Sequence, residues 1–93
     1  MITTIERTHP FKKDTKREGK TYGAENVENM LAEFLNDLVE GRPLAPRYKD
    51  HLLTGNWAGC RDCHLKPDLL MIYEITGEIL TLHRLGSHAE LFG

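Results

Sequence analysis

The sequence predicts one α+β domain over residues 1–93, with two N-terminal helices packed on one face of an antiparallel sheet. Three observations carry this. The 93 residues suit a single core, because domains usually run to about 100 to 150 residues and shorter chains bury proportionately less surface. After a brief β-branched opening, apolar side chains recur at helical spacing up to Gly41 and lie in short β-type runs beyond it, so helices and strands are segregated. A composition of 40% apolar and 28% charged residues is that of a compact chain, well away from the signature of disorder.

Each element follows from its residues. ITTIER at residues 2–7 is β-branched and bounded by Thr8, His9 and Pro10, which predicts a short first strand and then a helix start with proline in its first turn. A helix from about Pro10 to Lys20 has Phe11 as its main apolar anchor, and Gly19 and Gly23 punctuate the join to the next. In the second helix Val27, Met30, Leu31, Phe34, Leu35, Leu38 and Val39 line one continuous face, which Gly41, Pro43 and Pro46 bring to an end. That stripe reads as core. Residues 69–75, LLMIYEI, and 79–84, ILTLHR, predict a central antiparallel hairpin across Thr76-Gly77-Glu78. A third strand is predicted from Trp57 to Leu65, before the turn Lys66-Pro67-Asp68, with a shorter piece near His51–Leu53. The closing SHAELFG fits a single helical turn or an irregular tail. The sheet face away from the helices is left for chemistry.

No apolar run approaches the roughly 20 residues needed to span a bilayer, and MITTIERTHP lacks the basic-then-apolar plan of a signal peptide. Cys60 and Cys63 are too few and too close for a secreted disulfide framework, so a reducing, cytoplasmic location is expected. The net charge of −2 hides an asymmetry. Residues 10–20 carry Lys12, Lys13, Lys16, Arg17 and Lys20 against Asp14 and Glu18, a candidate polyanion contact, whereas residues 24–40 carry five acids and no Lys or Arg. By itself each run is best read as a solvated helix face, and charge alone identifies no partner.

The chemistry lies in the second half. Of His9, His51, His64, His83 and His88, four follow residue 50, in or near turns and strand ends. With an unperturbed pKa of about 6.5, histidine both accepts and donates protons at cellular pH, so the set suggests general acid–base work. Strand alternation puts Cys60, Asp62 and His64 on one face and Arg61, Cys63 and Leu65 on the other. The two sulfurs then diverge, which argues against a zinc half-site built on both and completed by His51, His64 or His88. No helix start follows the pair to lower a thiol pKa, so a thioredoxin-like role is also disfavoured. No metal or cofactor is expected. Alternation lets at most one of His83 and Arg84 face a cleft. Arg84 is the sharper candidate, as a bidentate phosphate partner, and a surface ion pair accounts for it about equally. Asp68 could orient an imidazole or cap its turn, and Phe92 could stack on a base or close the core.

From Tyr48 to Phe92 the chain resembles the YafQ-type toxins of the RelE superfamily of bacterial toxin–antitoxin systems. The likeness rests on Tyr48-Lys49-Asp50-His51, on Leu53-x-Gly55-x-Trp57-x-Gly59-x-Arg61-Asp62-x-His64, on Pro67-Asp68, on Ile72-Tyr73, and on Arg84-x-Gly86-x-His88-x-x-Leu91-Phe92-Gly93. It covers about half the chain.

The resemblance implies a microbial-ribonuclease-like fold and a ribosome-dependent messenger-RNA endonuclease that a cognate antitoxin holds inactive. It implies catalytic roles for His51, His64, Asp68 and His88, an active-site contribution from Phe92, and phosphate stabilisation by Arg84. Metal-free cleavage can use the substrate's own 2′-hydroxyl, given a base, an acid and a cation to balance phosphorane charge. Lys12, Lys13, Lys16, Arg17 and Lys20 are then the expected contacts to ribosomal RNA. Two other classes compete: a non-nucleolytic toxin of the same superfamily acting on a protein target, and a nucleic-acid-binding module in which the histidines are incidental.

Overall fold

A computed structural model describes every residue from Met1 to Gly93. Strand β1 (Thr4–Arg7) leads into helices α1 (His9–Tyr22) and α2 (Ala24–Glu40). Strands β2 (His51–Leu52), β3 (Arg61–Lys66), β4 (Leu69–Thr76) and β5 (Ile79–Gly86) follow, and the chain closes with helix α3 (His88–Phe92). The five strands form one sheet in the order β1-β5-β4-β3-β2.

The sheet is mixed. β2 through β5 form the predicted antiparallel meander, but β1 runs parallel to β5, pairing Thr4 with Ile79 and Arg7 with Leu82. The alternation within a strand carries no information about its direction in the sheet; β1's direction is set by where it must deliver the chain. At its end Thr8 donates its N–H to the Leu82 carbonyl, and its Oγ1 accepts from Phe11 N–H, capping α1. A second departure from expectation is the segment Trp57–Cys60. It forms a tight turn with Gly55 and Gly59 at positive φ, and β3 begins only at Arg61.

α1 and α2 cover one face of the sheet. Phe11, Val27, Leu31 and Phe34 pack against Cys63, Leu65, Met71, Tyr73, Leu80, Leu82 and Leu85, with Tyr48 closing the side. The Phe34 ring meets Tyr48 and Tyr73 edge-on, at centroid distances of 4.9 and 5.5 Å. Of the predicted α2 stripe only Val39 lies outside this core, on the exposed last turn before Gly41, which takes the left-handed conformation that terminates the helix. The opposite sheet face is partly covered as well. Leu70, Ile72 and Cys60 pack there with Leu91 of α3 and with Leu53 and Trp57, which explains why β4 is apolar on both faces.

One buried carboxylate joins the layers. β1 stops opposite Leu82, so the far end of β5 has no strand beside it, and Asp14 of α1 takes that place. Its carboxylate accepts the Leu85 N–H at 3.0 Å, Arg84 Nε at 2.7 Å and Arg17 Nη1 at 2.8 Å, while Arg17 Nη2 donates to the Leu85 carbonyl at 2.7 Å. Arg17 also meets Glu18 and Glu90, and Glu90 completes the Ser87 capping box that starts α3. Gly86 leaves room for this network: a Cβ on it would lie 2.8 Å from Arg17 Nη2 and 3.1 Å from Glu90 Oε1, so a larger residue would have to displace the ends of these side chains.

Burial alone would push the Asp14 carboxyl up, but the bonds from Arg84, Leu85 and Arg17 outweigh it and hold the group below its ordinary value. Asp14 therefore contributes stability that is present above the unfolded value near 3.8 and is lost as pH falls through the lower folded value. D14N should destabilise the domain by about 2 kcal/mol at neutral pH, a figure kept modest because both guanidinium partners reach solvent. Chemical denaturation of the two proteins should show the gap narrowing as pH drops below about 4.

Candidate active site

The end of the open sheet face formed by β2, β3, the turn after β3 and α3 gathers His51, His64, Asp68, His88 and Phe92, five of the six predicted catalytic residues. The alternation expected along β3 holds, with Cys63 and Leu65 in the helix-facing core and Asp62 on the open face. His51 of β2 pairs directly with Asp62, and its Nε2 lies 3.7 Å from Asp62 Oδ2. The other ring nitrogen, Nδ1, is 2.8 Å from the Lys49 carbonyl. A carbonyl can only accept, so Nδ1 carries a proton and a neutral His51 presents a bare Nε2 toward the site.

Asp50 secures the approach to His51. It accepts from Arg61 at 2.8 Å and from the Tyr73 hydroxyl, whose ionisation is pushed far up by burial and by this bond. His64 is half-buried and lines a groove of about 430 Å³ with Arg47, Lys49, Lys66 and Pro67. Asp68 accepts the His88 backbone N–H at 3.3 Å, so it holds the start of α3 to the β3–β4 turn. The rings of His88 and Phe92, one turn apart on α3, lie 5.2 Å from each other and both are exposed.

Asp62 is the residue that the sequence reading placed on the correct face and gave no role. Its carboxylate is buried, with Oδ1 lacking any hydrogen-bond partner in the protein. Burial pushes the Asp62 carboxyl up, and the charges of His51, His64 and His88 pull it back only in part. One imidazole, that of His51, thus faces a poorly solvated carboxylate, and His64 and His88 are near enough for their charges to act on it. The signal available in the sequence was its position between Cys60 and His64 on a strand facing away from the helices.

The remaining candidates separate. His9 sits exposed on α1, and His83 pairs with Glu74 at 3.0 Å. Arg84 shares a cross-strand rung with Ile72 and Asp62, on the order of 10 Å from Asp62 at the usual strand spacing. Two of its nitrogens are bound to Asp14, and Nη1 donates to nothing in the protein. Arg17 departs from the expected polyanion-binding set, since Asp14, Glu18 and Glu90 neutralise it. Lys12, Lys13, Lys16 and Lys20 do project from α1 into solvent.

Residues 3–93 match the family model described as the bacterial toxin of a type II toxin–antitoxin system, YafQ. The chain belongs to this family. Among YafQ relatives it is similar to the mRNA interferase toxin YafQ of Escherichia coli K12, at 38% identity over 90 residues that cover 96% of this chain and 95% of the relative. YafQ in the crystal structure of the E. coli DinJ–YafQ complex superposes with a TM-score of 0.83 at 37% identity, over the full length of both chains. A metal-bound toxin from Helicobacter pylori matches with a TM-score of 0.85 and 45% identity, over 99% of this chain and 100% of that one. The YafQ fold, with helices packed on a five-stranded sheet, is therefore common to all three. No helix of the chain is long and apolar enough to cross a membrane.

The raised Asp62 carboxyl has a thermodynamic consequence of opposite sign to that of Asp14. Above its folded value the native state carries a buried charge that the unfolded chain would solvate, so this group costs stability at neutral pH and the cost vanishes once both states are protonated. D62N should melt higher than the wild type near pH 7.5, and scanning calorimetry should show the difference closing toward about pH 4.

Proposed function

We propose that this toxin is a ribosome-dependent messenger-RNA endonuclease that cleaves by metal-independent acid–base chemistry and is held inactive in a cytoplasmic complex with a cognate antitoxin. The observation that carries this reading is the pairing of His51 with the buried Asp62 carboxylate at the end of the sheet where His64 of β3 and His88, held by Asp68, also lie. Such a set can hold a proton, release it and tolerate the positive charge in between.

In the proposed reaction the Nε2 of His51 takes the proton of the substrate's 2′-hydroxyl, the oxygen attacks the adjacent phosphorus, and the bond to the 5′-oxygen breaks. His64 or His88 gives that leaving oxygen its proton, so the products are a 2′,3′-cyclic phosphate and a free 5′-hydroxyl. Asp62 stabilises whichever imidazole is charged. Arg84 turns its unpartnered Nη1 toward the phosphorane charge, with Asp14 fixing the guanidinium plane. Asp68 holds His88 in place through the start of α3, and the exposed ring of Phe92 offers a stacking surface for a base.

General acid–base groups supply about 10² to 10⁴-fold, so the in-line geometry must come from elsewhere, and the ribosome supplies it by fixing the messenger in the decoding site. Lys12, Lys13, Lys16 and Lys20 on α1 are the proposed contacts to ribosomal RNA. Lys49 and Lys66, exposed beside His64, extend the basic surface to the groove.

Inducible expression followed by primer extension on a translated message tests the reading. The wild type should arrest growth and cut in frame, only while the message is translated, and H64A with H88A should lower cleavage by at least about 10²-fold while keeping the fold and antitoxin binding. H51A should abolish the 2′-hydroxyl step to a similar degree. Cleavage should persist in the presence of a chelator. Arrest without cuts would instead identify a toxin that acts on a protein target.

A further inference from the structure

The sheet turns Cys60 away from Cys63 and gives it other neighbours. Cys63 lies in the helix-facing core, whereas Cys60 sits on the open face, just before β3. Glu74 lies on β4, one residue beyond Tyr73, which pairs with Arg61 at the start of β3. His83 lies at an irregularity of β5: Ile72 pairs with Arg84 and Tyr73 with Leu82, so His83 is left without a cross-strand partner. This bulge aims both His83 and Arg84 at the open face, contrary to simple alternation. It brings the His83 Nε2 to 3.0 Å from Glu74 Oε1 and places the Cys60 sulfur, a Glu74 oxygen and an imidazole nitrogen within 4.8 Å of one another.

We propose that Cys60, Glu74 and His83 form a binding site for a single divalent cation of the zinc class. Thiolate, imidazole and carboxylate are the donor types such an ion takes, and three protein ligands leave one tetrahedral position open to water. Metal–ligand distances of about 2.0 to 2.3 Å place donor atoms roughly 3.3 to 3.7 Å from each other, so closing on an ion needs a contraction of about 1 Å. Side-chain rotation alone can supply this, because the three residues stand on or beside the three central strands. Cys60 is buried, and Glu74 and His83 are half-buried, which limits competition from water.

The site shares no residue with the His51, Asp62, His64 and His88 cluster. An ion there would tie β3, β4 and β5 together and raise stability without entering the cleavage reaction. The single tryptophan, Trp57, has its ring 6.0 Å from the His83 ring and serves as a local reporter.

The experiment is titration of the metal-stripped, full-length chain with Zn²⁺ and with Co²⁺ as its spectroscopic substitute. The expected result is one equivalent bound, a thiolate-to-cobalt charge-transfer band, quenching of Trp57 fluorescence by Co²⁺, and a higher melting temperature with Zn²⁺. C60S should remove the charge-transfer band, and H83A and E74Q should each weaken binding at least about 10-fold, since losing even the outer partner of a ligand costs about that much. The H51A, H64A, H88A triple variant should still show the band. Because H83A and E74Q alter half-exposed positions, they decide the matter even if C60S folds poorly. No saturable uptake, or uptake that persists in H83A and E74Q but is lost in the triple variant, would overturn the proposal.

Discussion

The Asp14 carboxylate is the interaction on which the remaining architecture depends. A strand edge whose neighbour ends early exposes an N–H and a carbonyl that must find partners, and at Leu85 both are supplied by α1, from Asp14 and Arg17. The same two residues hold Arg84 and, through Glu90, the first turn of α3. α1 is thereby locked to the end of β5 from which the His88 helix departs. A mixed sheet with a short parallel edge strand is viable here because a helix completes the edge that the strand leaves open.

Two buried aspartates are treated in opposite ways. Asp14 is surrounded by permanent cations and a backbone donor, so its charge is held and it stabilises the fold. Asp62 has a partner that titrates, His51, and one of its oxygens has no donor from the protein, so its charge is tolerated at a cost. In the proposed reaction, stability and chemistry are separated by this choice of partner. Guanidinium groups that never lose a proton suit a structural joint, whereas imidazoles that gain and lose one suit a reaction centre.

The charge pattern of α1 acquires a different meaning in three dimensions. Asp14 and Glu18 face the sheet, where they engage Arg17 and Arg84, and Lys12, Lys13, Lys16 and Lys20 face solvent. The outward surface of this helix is therefore more basic than its sequence total indicates. The acidic residues of α2 are largely exposed, and three of them meet arginines from β1 and the loop after α2, as in Arg7–Glu28, Arg42–Asp37 and Arg47–Glu33. Such exposed pairs add little stability, but they reduce the negative field that α2 presents.

By itself the sequence determined the kinds of element and their order, because periodicity is a local property. The α2 stripe, the β4–β5 hairpin and the opposed faces of β3 are all legible at spacings of two to four residues. So was the histidine set, and motifs from Tyr48 to Phe92 sufficed to indicate the family. Tertiary structure alone decided which charges meet. Arg84 and Asp14 are 70 residues apart, and nothing local distinguishes an arginine awaiting phosphate from one held by a carboxylate. The direction of β1, the turn at Trp57–Cys60 and the bulge at His83 likewise follow from where neighbouring segments must go. Asp62 gains its importance in the same way, since a carboxylate becomes poorly solvated only when the folded sheet buries it and brings His51 of the neighbouring strand against it.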